Sequence, residues 1–374
     1  MQSVAPLLEV REEHSLTAEE VAAFGCPLIE NAALYLGRAR PGMHFAFATV
    51  RAQGSLIGLT PLITLARYRS TRLLKPDARR WLDPLVGPFA RKTTCMIETS
   101  LMGFLYEPPF FAVPGADRHV VRNAVVEYLK SRKDLDTIVI IEPAGDTGEM
   151  ASAGFDSFMQ LPMILADVGG CRSFDDYLQR LSPKRRKNTR HDRALFANAG
   201  AVIRHHAPPH DREFIARLHR CLMASADRNT EFEVPYADLI NDAEAFRRQR
   251  QPVLAAWLHD QLVGFFAYIT RDGVMHQCHG GLDYSHSQQV KAYPNLLHAA
   301  VETAIAQGLR KVSFGPLNNE AKRRVGKPEP QMISFRCRSR LDHVLMSKVL
   351  APRLQVYMGP VVHSGAAEPE VQPN

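Results

Sequence analysis

The chain has 374 residues, 45% of them hydrophobic and 23% charged, with a formal net charge of +7 and a pI near 9.1. That balance excludes an intrinsically disordered polymer, and ordinary domain sizes point to two folded units instead of one. No stretch approaches the roughly 18–20 uninterrupted apolar residues of a membrane helix. Met1 to Glu20 lacks the apolar core of a signal peptide, and the cysteines at 26, 95, 171, 221, 278 and 337 form no C-x-x-C pair. A cytoplasmic protein with no membrane partner, no structural metal and a surface suited to anionic ligands is the expectation.

The opening residues predict a short helix, with Thr17 as N-cap and Glu20 closing a capping box. Phe45 to Val50 and Leu56 to Leu62 flank the turn Ala52-Gln53-Gly54-Ser55 and read as a hairpin. Residues 67–117, rich in Pro, Gly and Arg, show no clear element. His119 to Lys130 carries Val121, Val125 and Leu129 at helical spacing, and Thr137 to Ile141 is the apolar run of a strand buried on both faces. A further strand lies within Phe158 to Val168, and Gly169-Gly170 marks the expected boundary.

The second half repeats this order. Phe174 to Ala199 reads as helical, stopped by Gly200, and a strand begins at Ala201. Helices are expected over 211–224 and 236–248, a second hairpin over 253–269, and a strand over 274–282. Then come a helix over 295–307 closed by Gly308, a strand over 311–314, a short helix over 319–325 and a strand over 332–338. A helix over 341–358 follows, and the tail 363–374 is expected to be disordered. The hairpins FAFATVRAQGSLIGLTPL and VLAAWLHDQLVGFFAYIT share the same pattern, including an L-I/V-G early in the second strand. They indicate an internal repeat.

Four segments carry candidate chemistry. Ser182 to Arg193 holds six Lys/Arg and one Asp behind a Ser-Pro helix start. Helical spacing puts Lys184, Lys187 and His191 on one face and Arg186, Arg190 and Arg193 on another. Such a helix suits a diphosphate or a nucleic-acid backbone, or it is a solvated basic face. In His276 to Tyr284, alternation puts Gln277 and His279 on one strand face and His276 and Cys278 on the other, and Gly280-Gly281 allows a bulge. His279 and Asp283 are candidate general bases, and backbone N–H groups exposed there could polarise a carbonyl. Tyr293-Pro294-Asn295 opens a helix, and Tyr293 is a candidate proton donor. Glu231 and Glu233 are alternative bases or acceptor contacts.

The segments LQRLSPKRRKNTRHDRALFANAG (178–200), LVGFFAYI, HGGLD and YPNLLHAAVETAIAQGLRKVSFG resemble the CelD/BioF-like acetyltransferases of the GNAT superfamily and the related FemAB aminoacyl transferases. The resemblance implies an α/β fold of two tandem GNAT-like lobes, each a mixed, mostly antiparallel sheet flanked by helices. It places a degenerate lobe at 1–168 and the working lobe at 169–362. It implies an acyl-CoA donor held by Lys184, Arg186, Lys187, Arg190, Gln289 and Asn295, with His279, Asp283 and Tyr293 catalytic. Glu231, Glu233 and Lys322 would face a small-molecule amine acceptor, and Lys322 takes the place of a lysine that follows a strand-ending glycine. Charged tRNA is the alternative donor, and a non-catalytic, nucleic-acid-binding role on the same scaffold is the third reading. The family pattern Q/R-x-x-G-x-G/A meets Gln289 here, but Ala292 and Pro294 stand where it has glycine.

Overall fold

The computed structural model describes residues 8–25, 29, 42–69, 91–99, 105–144, 147–228, 251–316 and 320–350. β1 (Leu8–Glu13) pairs antiparallel with β2 (Met43–Ala52), which turns into β3 (Ser55–Arg69). Gln53 and Gly54 supply that turn with φ of 51° and 82°, the positive values a two-residue hairpin of right-twisted strands needs. Between β1 and β2, Thr17 and Glu20 form the expected capping box at the start of α1 (Ala18–Ala23). β4 (Arg91–Ile97) continues the sheet antiparallel to β3, and β5 (Phe111–Ala112) pairs with β3 beside it. α2 (Arg118–Ser131) then crosses over to β6 (Thr137–Pro143), parallel to β4. α3 (Thr147–Ser152) and β7 (Asp156–Asp167) complete this half.

The second half follows the same plan. α4 (Phe174–Arg180), α5 (Pro183–Asn198), β8 (Ala201–His206) and α6 (Arg212–Arg228) lead into the hairpin of β9 (Val253–Leu258) and β10 (Gln261–Arg271). β11 (Val274–Leu282) is antiparallel to β10. α7 (Ala292–Ala306) crosses over to β12 (Lys311–Ser313), parallel to β11. α8 (Glu320–Val325), β13 (Lys327–Cys337) and α9 (Arg340–Val344) follow, and a turn of π-helix spans 345–350.

The two halves share one sheet of mixed, mostly antiparallel strands in the order β1-β2-β3-β4-β6-β13-β7-β12-β11-β10-β9-β8. β13, from the end of the chain, inserts between β6 and β7, and β7 pairs on its other side with β12. Each crossover helix packs over its own half. Val121, Val125 and Leu129 of α2 are buried with Ile138 and Ile140, and Leu296, Leu297 and Val301 of α7 with Phe266, Val312 and Phe314. Complete burial of each such side chain contributes about 1.5–3 kcal/mol. The glycines of the L-I/V-G repeat let these helices approach. A Cβ on Gly58 would meet Val121 of α2 at 2.3 Å, and one on Gly264 would meet Leu296 of α7 at 3.2 Å and Leu282 at 2.7 Å.

Several elements differ from the sequence reading. The 174–199 helix is two helices, because Leu181 is extended (ψ 153°) and Ser182-Pro183 starts a new one. The stretch 67–117 supplies β4 and β5, whose alternation was masked by Arg and Pro. The helix from 341 becomes a π turn at Leu345. The helix expected over 236–248, Glu231, Glu233 and the tail 363–374 lie outside the described residues. No helix among the described residues is long and apolar enough to cross a membrane.

Candidate functional site

The two parallel strands of the C-terminal half part early. β11 and β12 pair over three couples, ending at His276 opposite Ser313, yet β11 continues six residues further to Leu282. Among the described residues that extension is paired on one side, with β10. Its register slips once: Ala267 faces His279 and Tyr268 faces Gln277, so Cys278 is the extra residue of a β-bulge. A bulge turns the backbone of its extra residue out of the ladder. The result is an open strand edge with re-aimed amides, a geometry suited to polarising a carbonyl laid along it.

The bulge also corrects the face assignment. Gln277 and His279 oppose neighbouring residues of β10, so they lie on opposite faces. Gly280 shares the α7 face with Gln277, whose Nε2 would be 2.7 Å from a Cβ on Gly280. His279 lies on the other face, opposite Ala267, which packs with α6. Burial pulls the His279 pKa down to about 4, so the imidazole is neutral near pH 7. The bulge falls at Cys278, ahead of the Gly280-Gly281 pair. Gly281 serves close packing instead, since a Cβ there would sit 2.4 Å from the backbone of Cys221 and Leu222 in α6.

On the α7 face, Tyr293 sets its ring edge-on against Phe266, centroids 5.7 Å apart, and Phe266 opposes Gly280. Tyr293 therefore stands over the open part of β11. The start of α7 carries no side-chain cap: Lys291, at φ 55° and ψ 40°, is the N-cap residue, and Gln289 is exposed nearby. An uncapped, positively polarised helix start suits an anion. Asn295 is otherwise engaged. Its buried amide donates to the carbonyls of Asp192 (3.0 Å) and Lys291 (2.9 Å), bracing α7 against α5.

Asp283 organises the loop before α7. Its carboxylate accepts from Ser285 N (2.9 Å), Gln261 Nε2 (2.7 Å) and His286 Nδ1 (3.0 Å). Burial pushes its pKa up, but these hydrogen bonds outweigh that and hold it below the ordinary value. A carboxylate kept ionised this way is a weak base and a good loop anchor. It also lines a groove of about 790 Å³ with Arg217, Arg220 and Gln261. Lys322 is buried, donates to the Pro316 carbonyl at 2.8 Å, and has its pKa pulled down to about 7 by burial. It holds the chain just after β12.

The basic helix divides by face. Thr189, Asp192 and Phe196 of α5 are buried, and Asp192 receives Arg324 from α8 at 3.5 Å. Lys184, Lys187, Arg190 and His191 are exposed, and Arg186 is half-buried. Arg190 reaches a separate pocket of about 330 Å³ with Arg193, Phe174 and Glu302. The predicted donor residues are therefore not gathered in one place: Lys184 and Lys187 present a charged surface, Arg190 reaches the separate pocket, Asn295 braces α7, and Gln289 is exposed in the loop before α7.

Sequence reasoning missed the partner that the N-terminal half supplies. Glu107 follows β4 in the stretch that showed no element, and it meets His276 Nε2 and Arg271 Nε, each at 3.3 Å. Glu107 and His276 are both buried. Glu107 carried no motif, and only the fold brings it to β11.

Residues 183–323 match the family described as the acetyltransferase (GNAT) domain, a match that supports an acyl- or aminoacyl-transferring enzyme. No curated protein matches the sequence. Among solved structures, L-PGS from Bacillus licheniformis is 12% identical, with a TM-score of 0.55 over 92% of this chain and 99% of that one. The C-terminal domain of a putative lysylphosphatidylglycerol synthetase from Agrobacterium fabrum is 11% identical, at 0.54 over 90% and 96%. FemX is also 11% identical, at 0.52 over 87% and 96%. At such identities these are likenesses of fold, and they run through both halves.

Proposed function

We propose that the protein moves an acyl group from an acyl-CoA donor to an amine by direct transfer. The observation that carries this reading is the open, bulged edge of β11 beyond His276. A donor laid along that edge would direct its carbonyl at the bulge amides and its phosphates at the uncapped start of α7. Tyr293 would pass a proton to the leaving thiolate, and Gln289 and Lys291 would flank the phosphates. His279, kept neutral by burial, would accept a hydrogen bond on the acceptor side but holds a proton poorly at pH 7. Ala292 and Pro294 narrow the phosphate site relative to a glycine loop, so donor affinity should be modest.

A second reading takes charged tRNA as donor, and the exposed basic face of α5 favours it. Calorimetric titration with acetyl-CoA, longer acyl-CoAs and charged tRNA separates the two. Heat from a CoA species that persists in moderate salt supports the first reading. Silence from every CoA species, with tRNA binding that collapses as salt rises, would replace it with the second.

A further inference from the structure

The pocket of about 330 Å³ between α4, α5 and α7 carries charge of both signs on its walls. α5 contributes Arg190 and Arg193, which are three residues apart and so neighbours on the helix surface. α4 contributes Asp175, and α7 contributes Glu302. Arg193 and Glu302 are engaged with each other. Arg193 Nη1 donates to Glu302 Oε1 at 2.6 Å, and its guanidinium lies over the Phe174 ring, 4.6 Å from the centroid. Arg190 and Asp175 differ. Both are exposed, and among the described residues neither side chain has an ion pair or a hydrogen bond. Opposite in charge, they line one pocket without closing on each other.

His298 stands one turn before Glu302 on α7, with its ring 6.0 Å from that of Phe174, and is 3% exposed. Burial, helped by Arg193 and Arg324, pulls its pKa down to about 3. The ring is therefore neutral and adds no third cation to the arginine wall. The pocket thus offers one open positive group and one open negative group beside the apolar surface of Phe174 and Leu178. A simple anion there meets Asp175 and Glu302, and a simple cation meets Arg190 and Arg193. A molecule that carries both charges satisfies both walls. The volume is at the small end for ligand pockets, which limits the occupant to a compact one.

We propose that this pocket binds a free amino acid with an apolar side chain. Its carboxylate takes the planar fork of the Arg190 guanidinium, its ammonium group donates to Asp175, and its side chain lies against Phe174 and Leu178. Glu302 is ten residues past the start of α7, about 15 Å along the helix axis, so the site is separate from the open edge of β11. It needs no acyl donor and stands apart from the acyl-transfer reading.

The test is thermal unfolding of the full chain with L-leucine, with isocaproate, which lacks the ammonium group, and with isopentylammonium, which lacks the carboxylate. All three are used at equal millimolar concentration and equal ionic strength. L-leucine should raise the midpoint by about 2 °C, and each single-charge analogue by less than about 0.5 °C. Arg190→Gln and Asp175→Asn change exposed side chains, so both should keep the native midpoint without ligand and lose the L-leucine shift. No shift with L-leucine, an equal shift with either analogue, or a shift retained in either variant would overturn the proposal. Acetyl-CoA titration of the same proteins reads the donor site separately. L-leucine binding without donor binding would sink the acyl-CoA reading and keep the pocket, and donor binding without L-leucine binding would do the reverse.

Discussion

The two crossovers, β4–α2–β6 and β11–α7–β12, are built alike and finished differently. α2 begins at Asp117, whose carboxylate accepts the His119 N–H, so its helix start is capped and carries negative charge. α7 begins at Lys291, with no side-chain cap. β4 ends on its last parallel couple, Ile97 opposite Ile140, whereas β11 runs six residues past its own. The N-terminal half keeps the fold and lacks both features that the proposed donor would use. The two modules differ here by one cap and one strand length.

The comparison can be broken at its packing first. Gly281→Ala should destabilise by about 3 kcal/mol, because the added carbon meets the α6 backbone, which has nowhere to go. Gly58→Ala, its Cβ set mainly against the Val121 side chain, should cost less. Urea unfolding of the two variants checks the order. Acid is the next lever, and it acts on the C-terminal half. Burial lowers the pKa of His279 to about 4 and of His298 to about 3, for His298 with help from Arg193 and Arg324. Both folded values lie below the unfolded one, so the unfolded chain takes up protons first as pH falls. Stability should be full above pH 6.5 and decline toward pH 4, by roughly 3 kcal/mol from His279 alone. Urea midpoints of native protein and His279→Gln across that range should converge at low pH; parallel curves would deny His279 the effect.

Charge at the helix starts is a finer test. Lys291→Asp copies the Asp117 arrangement into α7, at a left-handed position that Asp tolerates. It should weaken acyl-CoA binding about tenfold, the scale of a charge at a helix terminus, while Asp117→Asn leaves binding as it was. Calorimetry that found the two variants equal would remove the functional contrast between the crossovers. The smallest effect belongs to the exposed side of α5. Lys184→Ala with Lys187→Ala should change stability by no more than about 0.5 kcal/mol, read by thermal unfolding.

Much of this architecture was legible in the sequence because local signals agreed with the fold. The Thr17–Glu20 cap, the Gln53-Gly54 turn and the L-I/V-G repeat each correspond to a described feature. The features that failed to show are those that depend on distant pairing. The Cys278 bulge is set by its register against β10, so alternation within 276–284 misassigned the faces of Gln277 and His279. Asp283 looked like a base from its place after HGGL, but its three donors are fixed by Gln261 and a loop turn. Glu107 had no readable context, because its neighbours His276 and Arg271 lie more than 160 residues along the chain.

The insertion of β13 between β6 and β7 has a consequence for how the chain is made. Thr137 finds its register partner in Cys337, 200 residues later. While the ribosome is still making the second half, β6 has one bare edge and β7 lacks both of its neighbours, because β12 and β13 come later in the chain. The first module cannot finish folding as it emerges; it waits for the last strand of the second. The two modules therefore reach the native state in one event, and a chain released before residue 337 would leave two unpaired, apolar edges open to aggregation.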